Sequence, residues 1–217
     1  QSQQQLYSRV LRFFGIGESQ LVTVLADLID KQTDPTLAPY AKVGEVTLRL
    51  STKADSQEEA NVRLNQLEEE ILQRDHLRVF FYAYGDDNSL VKTVATLLEE
   101  KKQSLGILEN GTGGLLQAEL SLALAGQPYY SGGKIISQLG TESGGLSEEA
   151  SRIREELQAD LGLVVSVAVK PESTVDNVLA KVYLALASTS GITKKEVDLG
   201  GYSWQYLRQL ACLQALD

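Results

Sequence analysis

Leu105-Gly106-Ile107-Leu108-Glu109-Asn110-Gly111-Thr112-Gly113-Gly114-Leu115-Leu116 decides how the second half of this chain folds. A short apolar run meets a polar turn dense in glycine, and a second apolar run of helical residues follows. The pattern predicts a strand, a tight turn and a helix N-terminus. Gly111, Gly113 and Gly114 admit the positive φ angles that other residues resist. The unpaired N–H groups of a first helical turn, at the positive end of the helix dipole, would face whatever lies over the turn. Two readings stay open: a pocket for a carboxylate or phosphate, or a glycine-rich turn that binds nothing. It is not a Walker loop, because no Gly-Lys-Ser/Thr follows.

Outward from this stretch, strands alternate with helices. Leu90, Val94, Leu97 and Leu98 mark a helix before it, and the helix it opens is expected to run to about Ala125. Gln127 to Gly133 reads as a second turn, leading into a strand Lys134-Ile135-Ile136-Ser137. Gln138 to Gly145 reads as a polar loop, and Ser147 as the cap of a helix ending near Ala159. Leu161 to Val169 is almost wholly apolar, as a central strand buried on both faces would be. A polar loop Lys170–Asn177, an apolar segment Val178–Ala187, a short strand Glu196–Leu199 and a closing helix Tyr202–Leu216 complete the pattern. The alternation predicts a mostly parallel sheet covered on both faces, a three-layer α/β/α domain over 85–217.

The first half reads as a small α+β domain over 1–84, with Gly85-Asp86-Asp87-Asn88 as the seam. Tyr7 to Phe14 is rich in β-branched and aromatic residues, and a helix is expected from Glu18 to Lys31. Thr33 to Gly44, with Pro35 and Pro39, reads as an extended connection. Glu45 to Ser51 alternates as a half-buried strand does. Ser56-Gln57-Glu58-Glu59 fits a capping box, with Ala60, Leu64, Leu67 and Ile71 as one stripe behind it. Glu68-Glu69-Glu70 reads as that helix's solvated face, and Leu77 to Tyr84 as a third strand.

Composition narrows the function classes. The chain has 217 residues, is 43% hydrophobic and 23% charged, and carries a formal charge of −9. Net acidity disfavours nucleic acid and anionic membrane surfaces as partners, and no basic cluster with interleaved aromatics offsets it. Gly15-Ile16-Gly17-Glu18 does not supply the Gly-x-x-Gly clamp that a KH-type nucleic-acid site needs. Cys212 is the single cysteine, set among Leu210, Ala211 and Leu213 as a buried apolar side chain. His76 is the single histidine, so a His-rich metal site is excluded and any His-based triad must use it. No apolar run approaches the ~20 residues of a membrane span. No signal peptide is visible, and the cytoplasm is the expected compartment. The chain begins at Gln1 and holds no methionine, a pattern expected of a fragment or a processed chain.

The segments Ser8-Arg9-Val10-Leu11-Arg12-Phe13-Phe14-Gly15-Ile16-Gly17-Glu18-Ser19 and Pro35 to Leu50 resemble the middle domain of the CinA, or competence-damage-inducible, family. The second half resembles that family's C-terminal domain, which acts as a nicotinamide mononucleotide amidohydrolase. The family's N-terminal nucleotide-hydrolase-like domain has no counterpart in these residues. The resemblance implies a nicotinamide nucleotide as ligand, a homodimer as assembly, and no cofactor or metal.

The family's site motif, Ala-Glu-Ser-x-Thr-Gly-Gly, is matched at Glu109, Thr112, Gly113 and Gly114, with Leu108 in the alanine place and Asn110 in the place of the serine nucleophile. Its Gly-Gly-x-x-x-Tyr-Ser segment is matched at Gly132 and Gly133, with Ser137 where the tyrosine stands. The lysine that follows in the family has no partner, Lys134 lying before the mismatch. Its Thr-Gly-x-Ala-Gly-Pro segment keeps Ala168 and Pro171 of Ser166-Val167-Ala168-Val169-Lys170-Pro171. The resemblance therefore implies a ligand-binding set of Glu109, Asn110, Gly111, Thr112, Gly113, Gly114, Gly132 and Gly133. A carboxamide is neither a usable nucleophile nor a base at neutral pH. Three readings follow: a decayed amidase site left as a ligand-binding or structural module, an active amidohydrolase using Ser131, Ser137 or Thr112 instead, and a self-associating interaction module.

Overall fold

The computed structural model describes residues 4–139 and 143–217, and its contacts divide the chain into two compact units, Gln1–Ser89 and Leu90–Asp217. The first unit is a four-stranded sheet in the order β2-β3-β1-β4. Its strands are β1 (Gln5–Phe14), β2 (Thr36–Lys42), β3 (Glu45–Ala54) and β4 (Phe81–Tyr84), all paired antiparallel.

Helix α3 (Gln57–Leu72) starts where the capping box predicts. Glu59 N donates to Ser56 Oγ at 3.2 Å, and the Glu59 carboxylate accepts from Asp55 N at 3.0 Å. Its stripe of Ala60, Leu64, Leu67 and Ile71 is at most 9% exposed. Glu68 departs from the solvated-face expectation: it is buried, 2.5 Å from the Arg9 guanidinium and hydrogen-bonded to the Tyr84 hydroxyl.

Three other expectations are corrected. The helix Glu18–Lys31 breaks at Leu25 into α1 (Glu18–Val24) and α2 (Ala26–Lys31). Thr33–Gly44 is more than a connection, because β2 lies within it; an edge strand tolerates Pro39, whose missing N–H faces away from the ladder. The third strand shrinks to β4, because Arg74–Val79 forms a 3₁₀ segment in which Asp75 and His76 take φ of 40° and 59°. Arg12, 2% exposed, ties this unit together: it donates to Tyr82 Oη at 2.8 Å and to Gly85 O at 3.1 Å, and lies 3.5 Å from the Glu45 carboxylate.

The second unit is a five-stranded sheet in the order β6-β5-β7-β8-β9. Its elements run α4 (Leu90–Lys101), β5 (Leu105–Asn110), α5 (Leu115–Ala123), β6 (Tyr130–Ile136), α6 (Ser143–Glu156), β7 (Leu161–Val169), β8 (Val178–Ser188), β9 (Gly191–Tyr202) and α7 (Trp204–Leu216). The sheet is mixed rather than mostly parallel: β6-β5 and β5-β7 are parallel, whereas β7-β8 and β8-β9 are antiparallel. Connection length decides this. A parallel crossover needs a dozen or more residues, and neither the loop 170–177 nor the turn 189–190 can supply it.

Helices α4, α5 and α7 bury Leu98, Leu120 and Leu207 with Ile107, Val165 and Val182 on one face of the sheet. Helix α6 packs Ala150 and Ile153 against Leu108, Val164 and Ala185 on the other, so the unit has three layers. Gly162 permits that approach, since a Cβ there would overlap Ala150 O and lie 3.0 Å from Arg154 N. Helix α6 begins at Ser143, which places Ser147 inside it and not at its cap; residues 140–142 of the expected loop lie outside the described residues. Among the described residues no helix is long and apolar enough to cross a membrane.

Candidate functional site

Strand β5 ends at Asn110, Gly111 to Gly114 make the turn, and α5 begins at Leu115, as the glycine pattern predicts. Gly111, Gly113 and Gly114 take φ of 81°, 67° and 82°. Two of them are also held by close packing: a Cβ would lie 2.9 Å from Val167 Cβ at Gly111 and 2.5 Å from Ile135 Cδ1 at Gly114.

An anion does sit at the α5 N-terminus, and it is the chain's own. Glu109, with none of its surface exposed, accepts from Leu116 N and Gln117 N at 3.0 Å each and from Thr112 Oγ1 at 2.6 Å. Leu115 N donates to Thr112 O at 3.4 Å, and Ala118 N begins the helical ladder on Gly114 O. The first-turn donors that a glycine-rich strand-to-helix turn offers to a ligand are thus taken up internally.

Asn110 is built into the sheet. Its Nδ2 donates to Ile136 O of β6 at 3.1 Å, and its Oδ1 accepts from Ser166 Oγ of β7 at 3.1 Å, so one carboxamide spans the ends of three adjacent strands. Ser166 is 1% exposed.

The alternation of β6 separates the other sequence candidates. Gly133 faces α5, where a Cβ would lie 2.7 Å from Ile107 O and overlap the Gln117 carboxamide; Gly132 lies against Leu157 instead. Lys134 pairs with Glu156 of α6, away from Glu109. Ser131 sits at the opposite end of β6 from Ile136, the partner of Asn110, and at ~3.3 Å per residue about 17 Å lies between. Ser137 is exposed just past the strand, and Thr112 is fully buried against Glu109. The structure therefore brings together Glu109, Asn110, the glycine turn and Gly133, and leaves Gly132, Ser131 and Lys134 apart.

Four contributors were not singled out from sequence as site residues. Gln117 closes the turn from above, donating to Lys134 O at 3.1 Å and accepting from Tyr130 Oη at 3.2 Å. Ser166 is the one polar residue within the apolar run Leu161–Val169, which was its signal. Arg208, the one charged residue in Trp204–Leu216, reaches the turn from α7: a Cβ on Gly113 would lie 3.5 Å from its Nη1. Cys212, one helical turn further, is buried; burial, then the nearby Glu109 charge, pushes its thiol pKa up to about 12.

Two cavities of the unit lie elsewhere. An apolar one of about 240 Å³ sits at the other end of the sheet, lined by Leu98, Leu105, Leu161 and Leu184, with Lys195 and Asp217 paired at 2.6 Å on its wall. A polar one of about 340 Å³ lies between β6 and α6, where Lys134 pairs with Glu156 and Arg152 with Glu149. No group of three or more His, Cys, Asp or Glu among the described residues could hold a metal ion.

Comparison with known proteins places this architecture. Residues 8–83 match the model of the damage-inducible protein CinA KH domain. A competence-damage inducible protein of Streptococcus suis strain 98HAH33 is 82% identical over 217 residues, which are all of this chain and 55% of that protein. One from Streptococcus agalactiae serotype III strain NEM316 is 40% identical over 235 residues, covering 98% of this chain and 56% of that protein. The chain thus spans about half the length of these relatives. The crystal structure of the competence damage-inducible protein A (ComA) from Klebsiella pneumoniae subsp. pneumoniae MGH 78578 superposes with a TM-score of 0.50 at 21% identity, over 58% of this chain and 90% of that one, a likeness of fold. Family model, relatives and fold agree: the chain belongs to the CinA, competence-damage-inducible, family.

Proposed function

We propose that this chain is a CinA-type module, with the middle domain in 1–84 and an amidohydrolase-like domain in 85–217, which holds a ligand or serves as structure and does not hydrolyse an amide. The observation that carries this reading is the use made of Asn110 and Glu109. The residue at the family's nucleophile position is a carboxamide engaged on both sides, and the acid beside it is fully buried as a helix cap. Neither is left to attack or to move a proton. The test is to incubate the purified chain with nicotinamide mononucleotide and follow ammonia. None above the blank supports the reading, and sustained release overturns it.

The second reading, an active amidohydrolase with a substitute nucleophile, draws on the Thr112–Glu109 hydrogen bond at 2.6 Å, a hydroxyl beside a carboxylate. Burial weighs against it, since Thr112 and Glu109 expose none of their surface to a substrate. The homodimer, implied by family resemblance, and the cytoplasmic location, expected from the sequence, also belong to this proposal, and sedimentation of the purified chain tests the former.

A further inference from the structure

At the opposite end of the second unit from the glycine turn, between α4, α7 and the sheet, lies the apolar cavity of about 240 Å³. Its inner wall is made by Leu98, Leu105 and Leu163, none more than 6% exposed. Its rim is made by Leu186, 37% exposed, and by Lys195. The cavity is therefore apolar inside and charged at its mouth. Leucine walls offer water no hydrogen-bond partner, so apolar atoms are the occupant that they fit. Left empty, the lining forfeits the contacts that such atoms would make.

The rim carries one ion pair. Lys195 Nζ meets the Asp217 carboxylate at 2.6 Å, with the two side chains 39% and 46% exposed. A pair so exposed contributes little to stability. Asp217 also follows the last residue of α7, at the negative end of the helix dipole, where a carboxylate is disfavoured. The neighbouring acid on β9, Glu196, is taken by Lys181 at 3.0 Å. Lys195 is thus a cation at the mouth of an apolar cavity, held by a carboxylate that another carboxylate can replace at small cost.

We propose that this cavity binds a medium-chain aliphatic carboxylate, with its chain among the leucines and its head on Lys195, in the place that Asp217 holds. Size sets the chain length. An apolar cavity of about 150 Å³ holds benzene, so this one has room for roughly eight to ten carbon atoms. Charge sets the head. Lys195 pairs across the ladder with Leu184, on the face of the sheet that the cavity occupies, whereas Lys194 pairs with Ala185, on the face that α6 covers. The site shares no residue with the Glu109–Gly114 turn, so it stands or falls apart from the proposed function.

The test titrates the full chain with octanoate by calorimetry, below the concentration at which it forms micelles, with octanol, octylamine and acetate as parallel arms. Saturable binding of octanoate is expected, weaker for octanol and octylamine and absent for acetate, which lacks the chain. Lys195→Met keeps the apolar stem and loses the charge, and should weaken octanoate about fivefold, the upper range for an exposed ion pair. Asp217→Asn removes the competing carboxylate and should tighten it. Leu184→Phe puts a ring into the cavity and should abolish binding. Thermal unfolding of each variant separates loss of binding from loss of fold. No saturable binding, or octanol or octylamine binding as tightly as octanoate, would overturn the assignment. Unchanged octanoate affinity in Asp217→Asn, or in a folded Lys195→Met or Leu184→Phe, would overturn it equally.

Discussion

The Glu109 carboxylate accepts the amide hydrogens of both Leu116 and Gln117 at 3.0 Å, so the strand that ends at the glycine turn also caps the helix that follows it. A sequence motif that advertises an anion pocket here carries its anion with it.

Replacing that acid tests the cap. Glu109→Gln keeps the shape but loses the charge and turns a donor towards one of the two amides. Charge-assisted hydrogen bonds contribute roughly 1.5–3 kcal/mol each, so a loss of about 2–4 kcal/mol is expected for the unit that holds it. Urea unfolding monitored at α5 and at Trp204 measures this, and a change below ~1 kcal/mol would mean that the cap is incidental.

Gly133→Ala tests close packing. Gln117 can swing away from the new methyl, but Ile107 O, 2.7 Å from it, is backbone in the adjacent strand. A destabilisation of about 1–3 kcal/mol is expected. Wild-type stability in this variant would show that β6 shifts without cost.

Cys212 gives a pH signature. Burial raises its native pKa to about 12 from the ordinary thiol value of 9.0, so the native state holds the proton more tightly than the unfolded chain does. The stabilisation is fully present below pH 9 and is lost as pH rises through about 12, at close to 1.4 kcal/mol per unit. The difference in unfolding free energy between wild type and Cys212→Ala should narrow over that window and stay flat from pH 6 to 8. Slow modification by iodoacetamide in the native state at pH 8 is the companion expectation, and rapid modification would contradict the burial.

In the first unit, Arg12→Met leaves Glu45, 8% exposed, without its cation. Breaking a buried pair from one side costs about 3–5 kcal/mol. The double variant Arg12→Met/Glu45→Met should recover much of that loss; a double variant no better than the single one would show that the pair does not act as a unit.

Much of this architecture is legible in the residues themselves. The capping box at Ser56, the stripe Ala60–Ile71, the strand-turn-helix at Leu105–Leu116 and the buried strand Leu161–Val169 follow from local spacing, and local spacing is what a sequence displays. Other features were set by partners far along the chain. Strand β2 exists because β3 pairs with it, and the antiparallel hairpin β8-β9 is fixed by a short turn; neither has a strong pattern of its own. The site is divided in the same way. Glycines with positive φ announce the turn, but that Glu109 folds back over seven residues to Leu116 is visible only in three dimensions. Arg208 lies 95 positions beyond Gly113, with nothing in the intervening sequence to connect them.

The most direct test of the central claim is to restore the hydroxyl. Asn110→Ser, purified and shown to be folded, is assayed with nicotinamide mononucleotide beside the wild type for ammonia release. If the surroundings of residue 110 are structural, the serine has no base to activate it, and both proteins release ammonia no faster than the blank. Sustained release by Asn110→Ser would show that the catalytic surroundings are intact and that one side chain alone had silenced them, which contradicts this account.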